Sequence, residues 1–173
     1  QSSAIPLGAF RNSLFEYPPT RVHGTAIFMA ADPGAVPHAL LHNLSHNKVM
    51  HERVVFVTVS IMDVPWVAEE ERVKVEPMGH EWYMVRMQFG FKDRPDVSAG
   101  LKLCAKHGLE CNLMETSFFL NRETLIPVAG NLDGMALWRE RMFAAMARNA
   151  SSVTDYFNIP TNRVIELGTQ IEI

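Results

Sequence analysis

Two stretches of this chain are apolar almost without interruption, and they mark what must lie deepest. GTAIFMAA (24–31) and ERVVFVTVSIM (52–62) lack the in–out alternation of a half-exposed strand. The second is apolar on both faces, as expected of a central strand covered on two sides. Between them, DPG at 32–34 predicts a turn. Pro37 suits the first turn of a helix running to about His46, with Val36, Leu40 and Leu44 on one side and Ala39 and Leu41 flanking. Strand, helix and strand in this order form a βαβ unit, so the two strands are expected to be parallel with a right-handed crossover.

The pattern then changes period. ERVKVEPMGHEWYMVRMQFGF (71–91) alternates apolar and polar around Met78-Gly79-His80, which predicts an antiparallel hairpin with one buried face and a bulge or strand end at Gly90. Helical spacing returns from about Pro95 to His107, with Val97, Leu101, Cys104 and Ala105 inward and Gly108 as the stop. TSFFL (116–120) and TLIPV (124–128) predict a strand pair around Asn121-Arg122-Glu123, and a long helix is expected from about Leu132 to Asn149. NRVIELGTQIEI (162–173) alternates as a final strand. Ahead of all this, Ile5–Glu16 predicts a short amphipathic helix with Leu7, Phe10, Leu14 and Phe15 apolar, ended by Tyr17-Pro18-Pro19. The fold class that follows is α/β: one domain with a mixed sheet, one parallel βαβ unit, antiparallel hairpins, and helices packed on the sheet.

Composition narrows the function classes. At 173 residues, 47% hydrophobic and 20% charged, the chain supports one globular core. A net charge of −3 argues against sequence-independent nucleic-acid binding, which needs clustered Lys and Arg. No apolar run is long enough to span a bilayer. Cys104 and Cys111 fit neither a zinc nor a redox motif, and read as reduced packing residues.

The densest candidate chemistry is HNLSHNKVMHERVV (42–55). His38, His42 and His46 recur every four residues, forming one helical stripe with each step rotated by about 40°. Two imidazoles at that spacing can grip a metal ion, which makes His42 and His46 candidate ligands, with Glu52 or Glu115 as further donors of a metal-dependent enzyme. The glutamate that such helices carry between the histidines is missing, however, and the stripe falls on the polar flank. A solvated helix face is the simpler reading. Asn47 is expected to end the helix in the left-handed conformation, with Lys48 favoured near its negative end. His51, Glu52 and Arg53 then start the central strand, close enough to His46 for a fixed polar network. Ser117 lacks the glycines of a nucleophile elbow, and no phosphate-cradling glycine motif occurs. In the 132–149 helix, Trp138, Met142, Ala145 and Met146 form an apolar side, while Arg139, Arg141 and Arg148 favour solvent over a membrane surface.

The wording of four stretches is informative in itself. HNLSHNKVMHERVV, RVHGTAIFM (21–29), METSFFLNRETLIP (114–127) and IPTNRVIELGTQIEI (159–173) resemble, in the same order, the cytosolic C-terminal region of the bacterial Kup/HAK/KT potassium uptake transporters. The resemblance implies a fragment: residues 1–20 as the linker and amphipathic helix after an absent transmembrane bundle, and 21–173 as the cytosolic α/β domain. It implies potassium:proton symport across the inner membrane by that absent bundle, with this domain on the cytoplasmic face. It also implies a regulatory, homodimer-forming role for the domain, without catalytic residues or cofactor, and a small nucleotide such as cyclic di-AMP as a possible effector. His42, Asn43, His46, Asn47, His51, Glu52, Arg53, Glu115, Asn162, Arg163 and Glu166 are then expected to form a structural or regulatory polar network.

Overall fold

The computed structural model describes residues 4–121 and 153–167. Helix α1 (Leu7–Glu16) is followed by β1 (Thr20–Met29), α2 (His38–Asn47), β2 (Val49–Met62), β3 (Val73–Gly79), β4 (Trp82–Gly90), α3 (Val97–Cys104) and β5 (Thr116–Asn121). A helical turn at Val153–Tyr156 and β6 (Val164–Leu167) complete the described elements. The six strands form one mixed sheet in the order β3-β4-β2-β1-β5-β6. Among the described strands, only the β3–β4 pair is antiparallel. The α/β class, the parallel βαβ unit β1-α2-β2 and the hairpin are therefore as the sequence predicts.

The period of two along each strand splits the core into two layers. Ala26, Phe28, Val54, Phe56, Trp82, Met84 and Phe119 point to one face, where Leu7 of α1 and Ala39 and Leu40 of α2 cover them. Ile27, Val55, Val57, Val85, Met87 and Phe118 point to the other, beneath Val97, Leu101 and Cys104 of α3, together with Phe157 and Ile159. The placement of the helices follows from topology. The α2 connection runs outward from β1 to β2, whereas α3 carries the chain back across the sheet from β4 to β5. With crossovers of one hand, opposite directions of travel put helices on opposite faces. Because Leu7 is buried, α1 belongs to the same core as the strands it covers.

Several boundaries differ from the sequence reading. Strand β1 begins at Thr20 rather than Gly24, because a register shift between Val22 and Thr25 absorbs the polar residues that obscured its start. Strand β2 begins at Val49, three residues before the expected Glu52. Asn47 is the last helical residue of α2, and Lys48 takes the left-handed position with φ 55°. The Asn47 amide is engaged within the helix, donating to Asn43 Oδ1 at 2.7 Å, while Lys48 N–H bonds back to the Leu44 carbonyl. The hairpin turns at His80-Glu81, both with positive φ (56° and 60°). This is the two-residue geometry that matches strand twist. The 95–107 helix has its N-cap at Asp96, which accepts from the Ala99 N–H, and tightens into a 3-10 turn at Ala105–His107 before Gly108. The predicted strand 124–128, the helix 132–149 and residues 168–173 of the final strand lie outside the described residues.

Candidate functional site

Five strands run the same way, so their first residues share one edge of the sheet. That amino edge gathers Arg21–His23, His51–Arg53, the His80-Glu81 turn, Glu115 and the Thr161–Arg163 turn. Much of the polar set predicted from the sequence therefore comes together there, with partners the sequence reading did not anticipate.

His23 is the centre of one group. Its Nδ1 lies 3.3 Å from Glu52 Oε2 and its Nε2 3.4 Å from Glu115 Oε1. The hydrogen bond and charge of Glu115, followed by those of Glu52, raise its pKa above the ordinary imidazole value, which favours an imidazolium bridging two exposed carboxylates. The adjoining Gly24 (φ 107°) brings β1 against the turn before β5. A Cβ there would sit 2.7 Å from the Glu115 carbonyl oxygen, so no other residue fits without displacing that turn.

Two arginines hold the hairpin turn. Arg53 places Nε and Nη2 each 3.2 Å from Glu81 Oε2, donates through Nη1 to the Glu110 carbonyl, and lies over the Tyr83 ring. Arg21 donates to the carbonyls of Glu52 (3.3 Å) and His80 (3.0 Å) and lies over Phe15. Phe15 in turn stacks on the His80 ring at 4.0 Å. These contacts stabilise left-handed backbone at two residues that are not glycine. Each exposed ion pair is worth only about 0–1 kcal/mol. Together they fix which strand starts lie side by side.

The remaining predicted residues sit as follows. Asn43 is buried, donating to the Val49 carbonyl at 3.3 Å and accepting from Asn47, so it ties α2 to the start of β2. His42 and His46 are exposed with rings 4.2 Å apart. Glu52 and Glu115 turn to His23 instead of joining them. No group of three or more His, Cys, Asp or Glu among the described residues could hold a metal ion. His51 packs edge-on against Phe119, its Nδ1 buried without a partner among the described residues; burial pushes its pKa down and favours the neutral ring. Asn162 and Arg163 form the 3-10 turn into β6, and Glu166 lies within that strand, opposite Leu120. Burial, reinforced by Cys111, pushes the Cys104 thiol up to about 12, and burial also raises Cys111, which favours protonated, unreactive thiols.

Open α/β sheets bind ligands at the carboxyl ends of their parallel strands. This polar rim lies at the opposite edge. Its carboxylates are taken up by His23 and Arg53, and its buried asparagine by backbone and Asn47. Such an arrangement fixes the strand starts.

The chain belongs to the K+ potassium transporter C-terminal domain family, whose model matches residues 23–173. Among curated proteins it is similar along its whole length to the probable potassium transport system protein Kup 2 of Cupriavidus necator, with 56% identity. It is 55% identical to the probable potassium transport system protein Kup of Herminiimonas arsenicoxydans, and 51% identical to that of Nitrosospira multiformis. It spans only 28%, 27% and 27% of the lengths of these three proteins, respectively. No solved structure matches. Among the described residues, no helix is long and apolar enough to cross a membrane.

Proposed function

We propose that this domain is the regulatory and dimer-forming C-terminal part of a potassium:proton symporter, carried on the cytoplasmic face of the membrane. The observation that carries the reading is the whole-length similarity to proteins named for potassium transport, of which the chain makes up little more than a quarter. The architecture is in keeping with it. The polar rim is spent on joining strands, so the domain's contribution is mechanical: a rigid body that biases transport by contacting two transport states unequally.

Rubidium uptake by the whole transporter, compared at matched abundance with one truncated before residue 5, tests this. The expected result is a clear change in uptake rate or apparent affinity, with loss of the dimer by mass measurement in detergent. Identical uptake would overturn the regulatory role, and a dimer that survives truncation would overturn the dimer-forming one.

A further inference from the structure

The carboxyl edge of the sheet carries a rigid apolar ridge. After β2, the chain folds back as Met62-Asp63-Val64-Pro65-Trp66 and is stitched to the end of β4. Phe91 N–H donates to the Val64 carbonyl at 2.8 Å, and Lys92 N–H to the Pro65 carbonyl at 2.9 Å. The two segments are so close that a Cβ on Gly90 would lie 2.3 Å from the Pro65 oxygen. Asp93 locks the junction from within: its carboxylate accepts from the N–H groups of Val67 (2.9 Å) and Gly90 (2.7 Å) and from Arg72 Nη2 (2.9 Å). Held on this scaffold, Val64, Trp66 and Phe91 are 44%, 64% and 49% exposed.

A loop that merely joined two strands would not need a buried carboxylate to keep three large apolar side chains in water. Fixed in advance, they lose little entropy on meeting a partner, which is how docking anchors gain their strength. Ile5, also exposed, marks where the chain enters the fold, and it does so at this same edge. Its carbonyl accepts from Val36 N–H at 2.9 Å, and Leu7 N–H donates to the Gly34 carbonyl, both in the loop that leaves β1.

We propose that the Val64–Trp66–Phe91 ridge docks the domain onto the preceding, transport-carrying part of the same polypeptide. The inference rests on the functional reading above, since it takes the rest of the protein to be what the relatives carry outside this region. Where the chain enters decides the occupant: a body joined through Ile5 meets the carboxyl edge before any other surface. Charge argues against a bilayer as the occupant. Asp63, Glu70 and Glu71 flank the ridge segments in sequence, as do Lys92 and Arg94, and this mixture gives no net pull toward anionic lipid. The fitting partner is an apolar protein patch.

A photo-reactive phenylalanine analogue placed at position 66 of the whole transporter in its membrane tests the docking, with position 17, the exposed Tyr17 beyond the other end of α1, as the control. The expected product at 66 is an intramolecular cross-link to a peptide preceding residue 5, several-fold more abundant than at 17. Trp66→Asp should also shift rubidium uptake in the direction that truncation does, with the domain's circular dichroism unchanged. Cross-linking at 66 to lipid, to another copy, or no more than at 17 would overturn the proposal, as would normal uptake by Trp66→Asp in a transporter whose uptake truncation alters. Truncation without effect on uptake would instead sink the regulatory reading while leaving a cross-link at 66 intact, so the two failures are distinguishable.

Discussion

Replacing Trp82 with alanine is expected to lower the unfolding free energy by about 3–5 kcal/mol, among the largest single-residue effects in the described fold. The side chain is fully buried at the start of β4. Its ring meets Phe56 of β2 at 5.1 Å and Phe15 of α1 at 5.6 Å, so its removal opens a cavity where a helix, the sheet and the hairpin turn converge. Phe15 also stacks on His80, and loosening it weakens the contacts that hold the turn. The indole N–H has no hydrogen-bond partner among the described residues, so burying it already costs stability. Trp82→Phe keeps most of the ring while removing that unpaired donor, and should cost far less than alanine. Urea unfolding of the three proteins checks this. Equal losses for phenylalanine and alanine would show that ring volume is not what matters at this position.

Asp93→Ala is expected to cost about 3 kcal/mol, for a different reason. The Asp93 side chain is only 4% exposed, and its loss leaves the Val67 and Gly90 amides and the Arg72 guanidinium without their acceptor. Burial alone would raise the pKa of this carboxyl. The two amides and Arg72 outweigh burial and hold it below the ordinary carboxylate value. A depressed folded-state pKa stabilises the protein fully above the unfolded pKa, and that contribution is lost as pH falls through the folded value. Asp93→Asn should therefore be less stable than the parent by a constant amount from neutral pH down to about 4, with the gap closing below that. Denaturation midpoints across pH measure the gap. A gap that stayed constant into strong acid would mean the carboxylate is not ionised in the fold.

The sequence made the centre of this fold legible and blurred its rims. Continuous apolar runs mark β1 and β2, and alternation marks the β3–β4 hairpin, because burial on two faces or one leaves a direct trace in residue type. Strand starts were harder. Arg21 and His23 precede a glycine and look like loop, yet Gly24 lets β1 bulge and continue pairing. Their partners Glu52, Glu115 and the His80 carbonyl come from distant parts of the chain, and only topology brings them together. The same holds for Asp93 and Arg72, twenty-one residues apart and joined by a single ion pair. Asn43 is legible in the sequence as a polar network member. Its burial could have been inferred from its position one turn after Ala39 and Leu40. His42 and His46 drew attention through their spacing, which is equally the spacing of any exposed helix stripe.

The histidine-rich stretch is expected to build the domain rather than to carry out chemistry. Rubidium uptake by the whole transporter carrying His42→Ala and His46→Ala together, at matched abundance, tests it most directly. Uptake equal to that of the parent is the predicted result, since both rings are exposed and lie against each other. Abolished uptake from a transporter present in the membrane at normal amounts would contradict the account.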